Sequence, residues 1–151
     1  MSFQVPMNEL AILVSLYGAD PEDYFVYLSP YSEHHDGPET IAEYLNAGRR
    51  RFFPMVTAGV PKMINRDQIL WVRYEKLPDP LELEVTLIEK LTIVELADGT
   101  RIEGSIPIDR PKEQSRISDV LNDPRETFLR IDDPDQTYYV NKWFIRQVIP
   151  R

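Results

Sequence analysis

The sequence predicts a mainly β protein with a minor α component, built as two tandem small β-barrel-like units, each of five to six strands with one short helix. Three observations carry this. The chain resembles itself when slid along so that Ile41 falls on Ile117. Short apolar–polar alternations separated by turn residues recur along it. A Pro-rich connector, Leu77-Pro78-Asp79-Pro80, divides it near the middle. The units are placed at residues 1–75 and 82–151, with a linker at 76–81.

The repeat is the firmest of the three. In that alignment segment 41–72 lies on 117–148 without a gap, with 8 identities in 32 positions. They are Ile41/Ile117, Leu45/Leu121, Asn46/Asn122, Arg49/Arg125, Phe52/Phe128, Asn65/Asn141, Ile69/Ile145 and Val72/Val148. Upstream a slightly larger offset aligns Val14 with Val94 and Leu16 with Leu96. The four extra residues of the first copy are assigned to the neighbourhood of Ala19-Asp20-Pro21-Glu22. Such self-similarity points to one supersecondary unit used twice.

The elements follow in order, most clearly in the second copy. Leu83 to Leu87 and Leu91 to Leu96 read as strands, and Asp98-Gly99 as a tight hairpin turn. Arg101 to Ile106 alternates again, and its Gly104 marks a bend such as a barrel corner. A short helix follows, with Ser115 as its cap and Ile117, Val120 and Leu121 as its apolar stripe. Thr127 to Ile131, Tyr138 to Val140 and Phe144 to Ile149 read as strands, the last two joined tightly at Asn141-Lys142. In the first copy the helix runs from Pro38 to Asn46, with a capping box at Thr40-Ile41-Ala42-Glu43 and Gly48 beyond its end. The recurring pairs Asn46/Asn122 and Asn65/Asn141 are read as structural, since Asn caps helices and accepts left-handed turns.

Asp98-Gly99-Thr100-Arg101-Ile102-Glu103-Gly104-Ser105-Ile106 resembles the first motif of the Sm-like family. Val140-Asn141-Lys142-Trp143-Phe144-Ile145 resembles the second. The likeness covers most of copy two and implies a small Sm-like or SH3-like barrel. It departs from the family at the second turn, where Asn141-Lys142 and Asn65-Arg66 replace the usual Arg-Gly. Copy one lacks both glycines of the first motif. No RNA-binding residue of the family is therefore carried over. Segment Arg116 to Asn122 also resembles part of uncharacterised bacterial proteins, which implies no function.

Composition limits the function. The 151 residues are 42% hydrophobic and 28% charged, an ordinary globular balance. The net charge is −8, with both halves acidic, which argues against nucleic acid and anionic membranes as partners. There is no cysteine, so disulfide and thiolate chemistry are excluded. The N-terminus carries no basic and apolar leader pattern, and no apolar run has the length of a membrane helix. Together these fit a cytoplasmic protein.

No nucleophile motif and no glycine-rich phosphate loop is present, and no cofactor is expected. The candidate site residues are Arg49, Arg50 and Arg51, suited to phosphate or an acidic segment, and the aromatic anchors Trp71 and Trp143. His34, His35 and Asp36 carry metal-ligand groups, although neighbours in sequence seldom converge on one ion. Against each stands a plainer reading: a solvated arginine turn, core aromatics, a polar loop. The expected function is a non-enzymatic interaction, adaptor or assembly module that binds a protein partner or itself. A divergent Sm-like RNA-binding protein is the alternative, and a metal-dependent enzyme a third reading.

Overall fold

The computed structural model of the chain describes residues 7–48, 50–76, 88–108 and 116–151. The first half runs β1 (Asn8–Leu16), β2 (Glu22–Leu28), α1 (Ile41–Asn46), β3 (Phe52–Thr57), β4 (Val60–Asn65), a 3-10 turn at Arg66–Gln68 and β5 (Ile69–Glu75). The second runs β6 (Ile88–Leu96), β7 (Arg101–Ile108), α2 (Ile117–Leu121), β8 (Phe128–Asp132), β9 (Gln136–Asn141), a 3-10 turn at Lys142–Phe144 and β10 (Ile145–Pro150). The strands form one open antiparallel sheet in the order β10-β6-β7-β8-β9-β5-β1-β2-β3-β4.

Strand pattern follows composition. In β2, Tyr24, Val26 and Leu28 are buried while Phe25 and Tyr27 face outward, the strict period of two that a half-buried strand requires. The helix α1 is too short to be stable by propensity alone. Thr40 caps it by accepting from the Glu43 N–H at 3.2 Å, and Ile41, Tyr44 and Leu45 bury its inner face. In α2 the N-cap is Arg116, whose backbone N–H donates to the Asp119 carboxylate at 3.2 Å. The expected cap, Ser115, lies outside the described residues, as do the Leu83 to Leu87 strand, the core of the linker and Arg49.

Pairing registers recur between the halves. Phe52 opposes Asn65 as its counterpart Phe128 opposes Asn141, and Phe53 opposes Ile64 as Leu129 opposes Val140. Val14 opposes Glu22 as Val94 opposes Ile102, at the larger upstream offset. The bulge recurs at the same place, with Leu70 of β5 unpaired between Ile69 and Trp71 and Arg146 of β10 unpaired between Ile145 and Gln147. Because both strands of the first hairpin keep the same offset, the four extra residues do not lie near Ala19–Glu22. They fall between β2 and α1, where positions 29–40 stand against the shorter stretch 109–116.

Two features anticipated from sequence take a definite form. Gly99 adopts φ +90° in the β6–β7 turn. Gly104 permits a close approach: a Cβ there would stand 2.5 Å from the Asp132 carbonyl oxygen on β8 and 2.9 Å from Ile131 Cγ2. The Asn pairs also resolve. Asn65 and Asn141 sit at φ −69° and −66° and cap the two 3-10 turns, so neither uses left-handed geometry.

The halves meet at an antiparallel ladder between β5 and β9, from Trp71↔Val140 to Glu75↔Gln136. The two cores interlock across it. Phe128 and Tyr139 of the second half belong to the core built by β1–β5 and α1, while Leu70 and Trp71 of the first half belong to the core built by β6–β10 and α2. No helix among the described residues is long and apolar enough to cross a membrane.

Candidate interaction surfaces

Three places carry exposed chemistry: the two ends of the sheet and a groove beside α1. The ends arise from topology. Among the described residues, β4 and β10 each have one pairing neighbour, so each leaves a row of backbone groups toward solvent. Which residues face out follows from the bonds that continue each ladder. Arg66 N donates to Arg51 O, so Ile64 and Lys62 bond inward to β3, and Met63 and Pro61 point outward. Arg151 N donates to Leu91 O, so Ile149 and Gln147 bond inward to β6, and Val148 and Pro150 point outward. Proline has no N–H, so each edge has lost one outward donor.

Apolar side chains gather at these ends. On the β3–β4 side, Met63 is 64% exposed, with Val60 and Phe52 also exposed. Beside β10 stands Trp143, 85% exposed, next to Phe144, whose ring stacks on Tyr17 at 5.9 Å. Trp143 thus presents its indole to solvent. Trp71 does not. It is 8% exposed, edge-on to Tyr138 at 5.7 Å, with the Arg73 guanidinium over both rings. Its place in the joint between the halves, not at a free surface, is hidden from sequence because strand pairing across the halves is non-local.

The arginine turn is divided. Arg50 lies over the Tyr44 ring, 4.9 Å from its centroid, and Arg51 pairs with Asp67 at 3.2 Å. Arg125, the counterpart of Arg49, grips the buried Asp123 at 2.9 Å. Two of the three positions read as a basic cluster are therefore engaged by neighbours, and the structure does not gather them with Trp71 or Trp143.

The groove beside α1 encloses about 530 Å³ and is lined by Tyr27, Tyr31, Glu39, Glu43, Tyr44 and Arg50, among others. At its wall Ser32 Oγ donates to Glu43 Oε2 at 2.6 Å, and the His35 Nε2 meets Glu43 Oε1. His35 Nδ1 lies 3.0 Å from the Asp36 carbonyl. These contacts, the Asp36 carbonyl first and then Glu43, raise the imidazole pKa above its ordinary value. Partial burial pushes the Glu43 carboxyl up, but hydrogen bonds from Ser32, His35 and Thr40 outweigh it and hold the group below its usual range. Here the carboxylate sits between hydroxyl and imidazole. Nucleophile activation needs the imidazole in the middle, taking the hydroxyl proton. His34, His35 and Asp36 do not converge, and among the described residues no three His, Cys, Asp or Glu side chains form a metal-holding group.

Inside the β5–β9 joint, the Asn141 Nδ2 donates to Ile69 O at 2.9 Å and to Arg66 O at 3.3 Å, while Asn46 Oδ1 accepts from Phe128 N at 2.8 Å. Tyr74 and Tyr139 stack at 6.2 Å beside the Arg130–Asp132 pair. Burial, then the neighbouring Tyr74, pushes the Tyr139 phenol far above its ordinary value. The sequence marks Asn46 and Asn141 as recurrent, but their reach across the joint is non-local and leaves no signal there. Compared with known proteins, the chain matches no family model, no curated protein and no solved structure.

Proposed function

We propose that the chain is a non-enzymatic interaction module made of a duplicated five-stranded, small-barrel-like unit, which recruits protein by adding strands to its sheet edges. The observation that carries this reading is the β5–β9 joint. The protein already uses edge-to-edge pairing to hold together two units whose internal pairing registers correspond residue for residue. Among the described residues, a fused pair leaves two edges with a single pairing neighbour each, β4 and β10, and exposed apolar side chains beside them. Strand addition supplies affinity through main-chain bonds and specificity through alternate side chains.

The test blocks the edges at Met63, which is exposed, and at Val148, which packs partly against the second core, so the melting temperature of each variant is checked first. Proline at Met63 or Val148 removes an N–H that points away from the sheet, a substitution edge strands tolerate. Protein captured from the native cells by the wild type should be lost from the Met63→Pro/Val148→Pro double variant. Undiminished capture by the double variant, or sub-micromolar binding of mixed RNA near physiological salt, would overturn the reading.

A further inference from the structure

We propose that the partner for the β4 edge is the β10 edge of a second copy of this chain, so that molecules join head to tail in the register already used between β9 and β5. This rests on the interaction-module reading and names its partner. The internal joint pairs Val72 with Tyr139. In the repeat alignment Val72 corresponds to Val148 and Tyr139 to Met63, the very residues whose backbone groups face outward on β10 and β4. Parity agrees at both sites. Lys76 N donates to Asp135 O, which makes Val72/Tyr139 a hydrogen-bonded pair in the inner ladder.

Residues that serve the inner joint are kept where an outer joint needs them. Asn141 clamps the carbonyls of Ile69 and Arg66, and Asn65 stands ready to clamp those of Ile145 and Lys142 in the next molecule. Asn46 accepts from Phe128 N, and Asn122 with Phe52 repeats the combination. Phe128 is 1% exposed because the joint covers it, while the identical Phe52 is 48% exposed at the outer edge. A phenylalanine retained in an exposed position is accounted for if a second copy covers it.

The contact is weaker than the inner one. Pro61 and Pro150 fall opposite each other where the inner joint has Thr137 and Tyr74, so neither donates and the ladder stops after the Met63/Val148 pair. The net charge of −8 also makes copies repel. The association is therefore reversible, with Kd between roughly 1 μM and 1 mM. A heterologous contact of this kind closes into a ring or extends, according to the rotation between copies.

Sedimentation of the full chain up to about millimolar concentration, enough to populate a complex at the weak end of that range, tests the proposal. The wild type should gain mass as concentration rises. Met63→Pro and Val148→Pro should each remain monomeric alone, yet form a one-to-one pair when mixed, because one keeps β10 and the other β4. Pro61→Thr, which restores the inner joint's residue and one N–H, should tighten self-association about fivefold, the worth of one net hydrogen bond. Wild type and Pro61→Thr both monomeric throughout would overturn the self-assembly proposal, and the capture experiment would still decide the interaction-module reading separately. Association of either proline variant alone would also overturn it, since another surface would then be responsible.

Discussion

Asn65 and Asn141 are the same residue in the same local setting, and the fold gives them different work. Each accepts a backbone N–H through its side-chain oxygen, from Asp67 at 3.0 Å and from Trp143 at 3.1 Å. Asn141 alone is fully buried and donates across the joint to the Ile69 and Arg66 carbonyls. Asn65→Ala should cost the cap, about 1 kcal/mol. Asn141→Ala should cost the cap and also strip a donor from a buried carbonyl, about 3 kcal/mol in all. For a domain of this size, each kcal/mol lowers Tm by about 2–4 °C. Scanning calorimetry should therefore show drops of about 2–4 °C for Asn65→Ala and about 6–12 °C for Asn141→Ala. Equal drops for the two variants would refute the argument, because they would mean that the β5–β9 joint is not formed in solution.

Gly104→Ala should destabilise by about 1–3 kcal/mol, since the new methyl meets the Asp132 carbonyl at 2.5 Å and strand β8 must move; an unchanged Tm would contradict the close approach. The His35 imidazole should titrate above its ordinary value of 6.5 by NMR, and Glu43→Gln should bring it back toward that value. Its raised pKa means that the pair contributes fully below the ordinary imidazole value and fades as pH rises through the raised one. The lowered Glu43 pKa sets the acid limit, since its contribution is lost as pH falls through that lowered value. Filter binding with mixed RNA near physiological salt should detect little affinity, because Arg50 and Arg51 are engaged by Tyr44 and Asp67 and the net charge is −8.

What the sequence makes legible is local or periodic. Strand alternation, the Gly99 turn, the Thr40 cap and the helix between the second and third strands of each half all depend on neighbours close in the chain. The internal repeat is also visible, since identity needs no structure. The misplacement of the four extra residues has a specific cause. Glycine and proline near Ala19 look like an insertion, but pairing of Val14 with Glu22 fixes the hairpin length and sends the extra residues past Leu28. Gly104 announces a special backbone position without revealing that the constraint is the Asp132 carbonyl.

The candidate anchors show why the rest is hidden. Trp71 and Trp143 are both tryptophans near the fifth strand of their half, yet one is 8% and the other 85% exposed. Trp71 lies inside β5 and Trp143 in the 3-10 turn that precedes β10, so they are not equivalent positions. Trp71 is covered because β5 pairs with β9 there, opposite Val140. The same cause separates Phe128 from Phe52. Where the two halves share pairing registers, exposure depends on position in the row as well as on residue type. A residue identical in both halves but covered in only one therefore locates the joint, and its uncovered twin locates the surface where another joint can form. On that logic Phe52, which no motif singles out, is a better candidate for partner contact than the arginine turn.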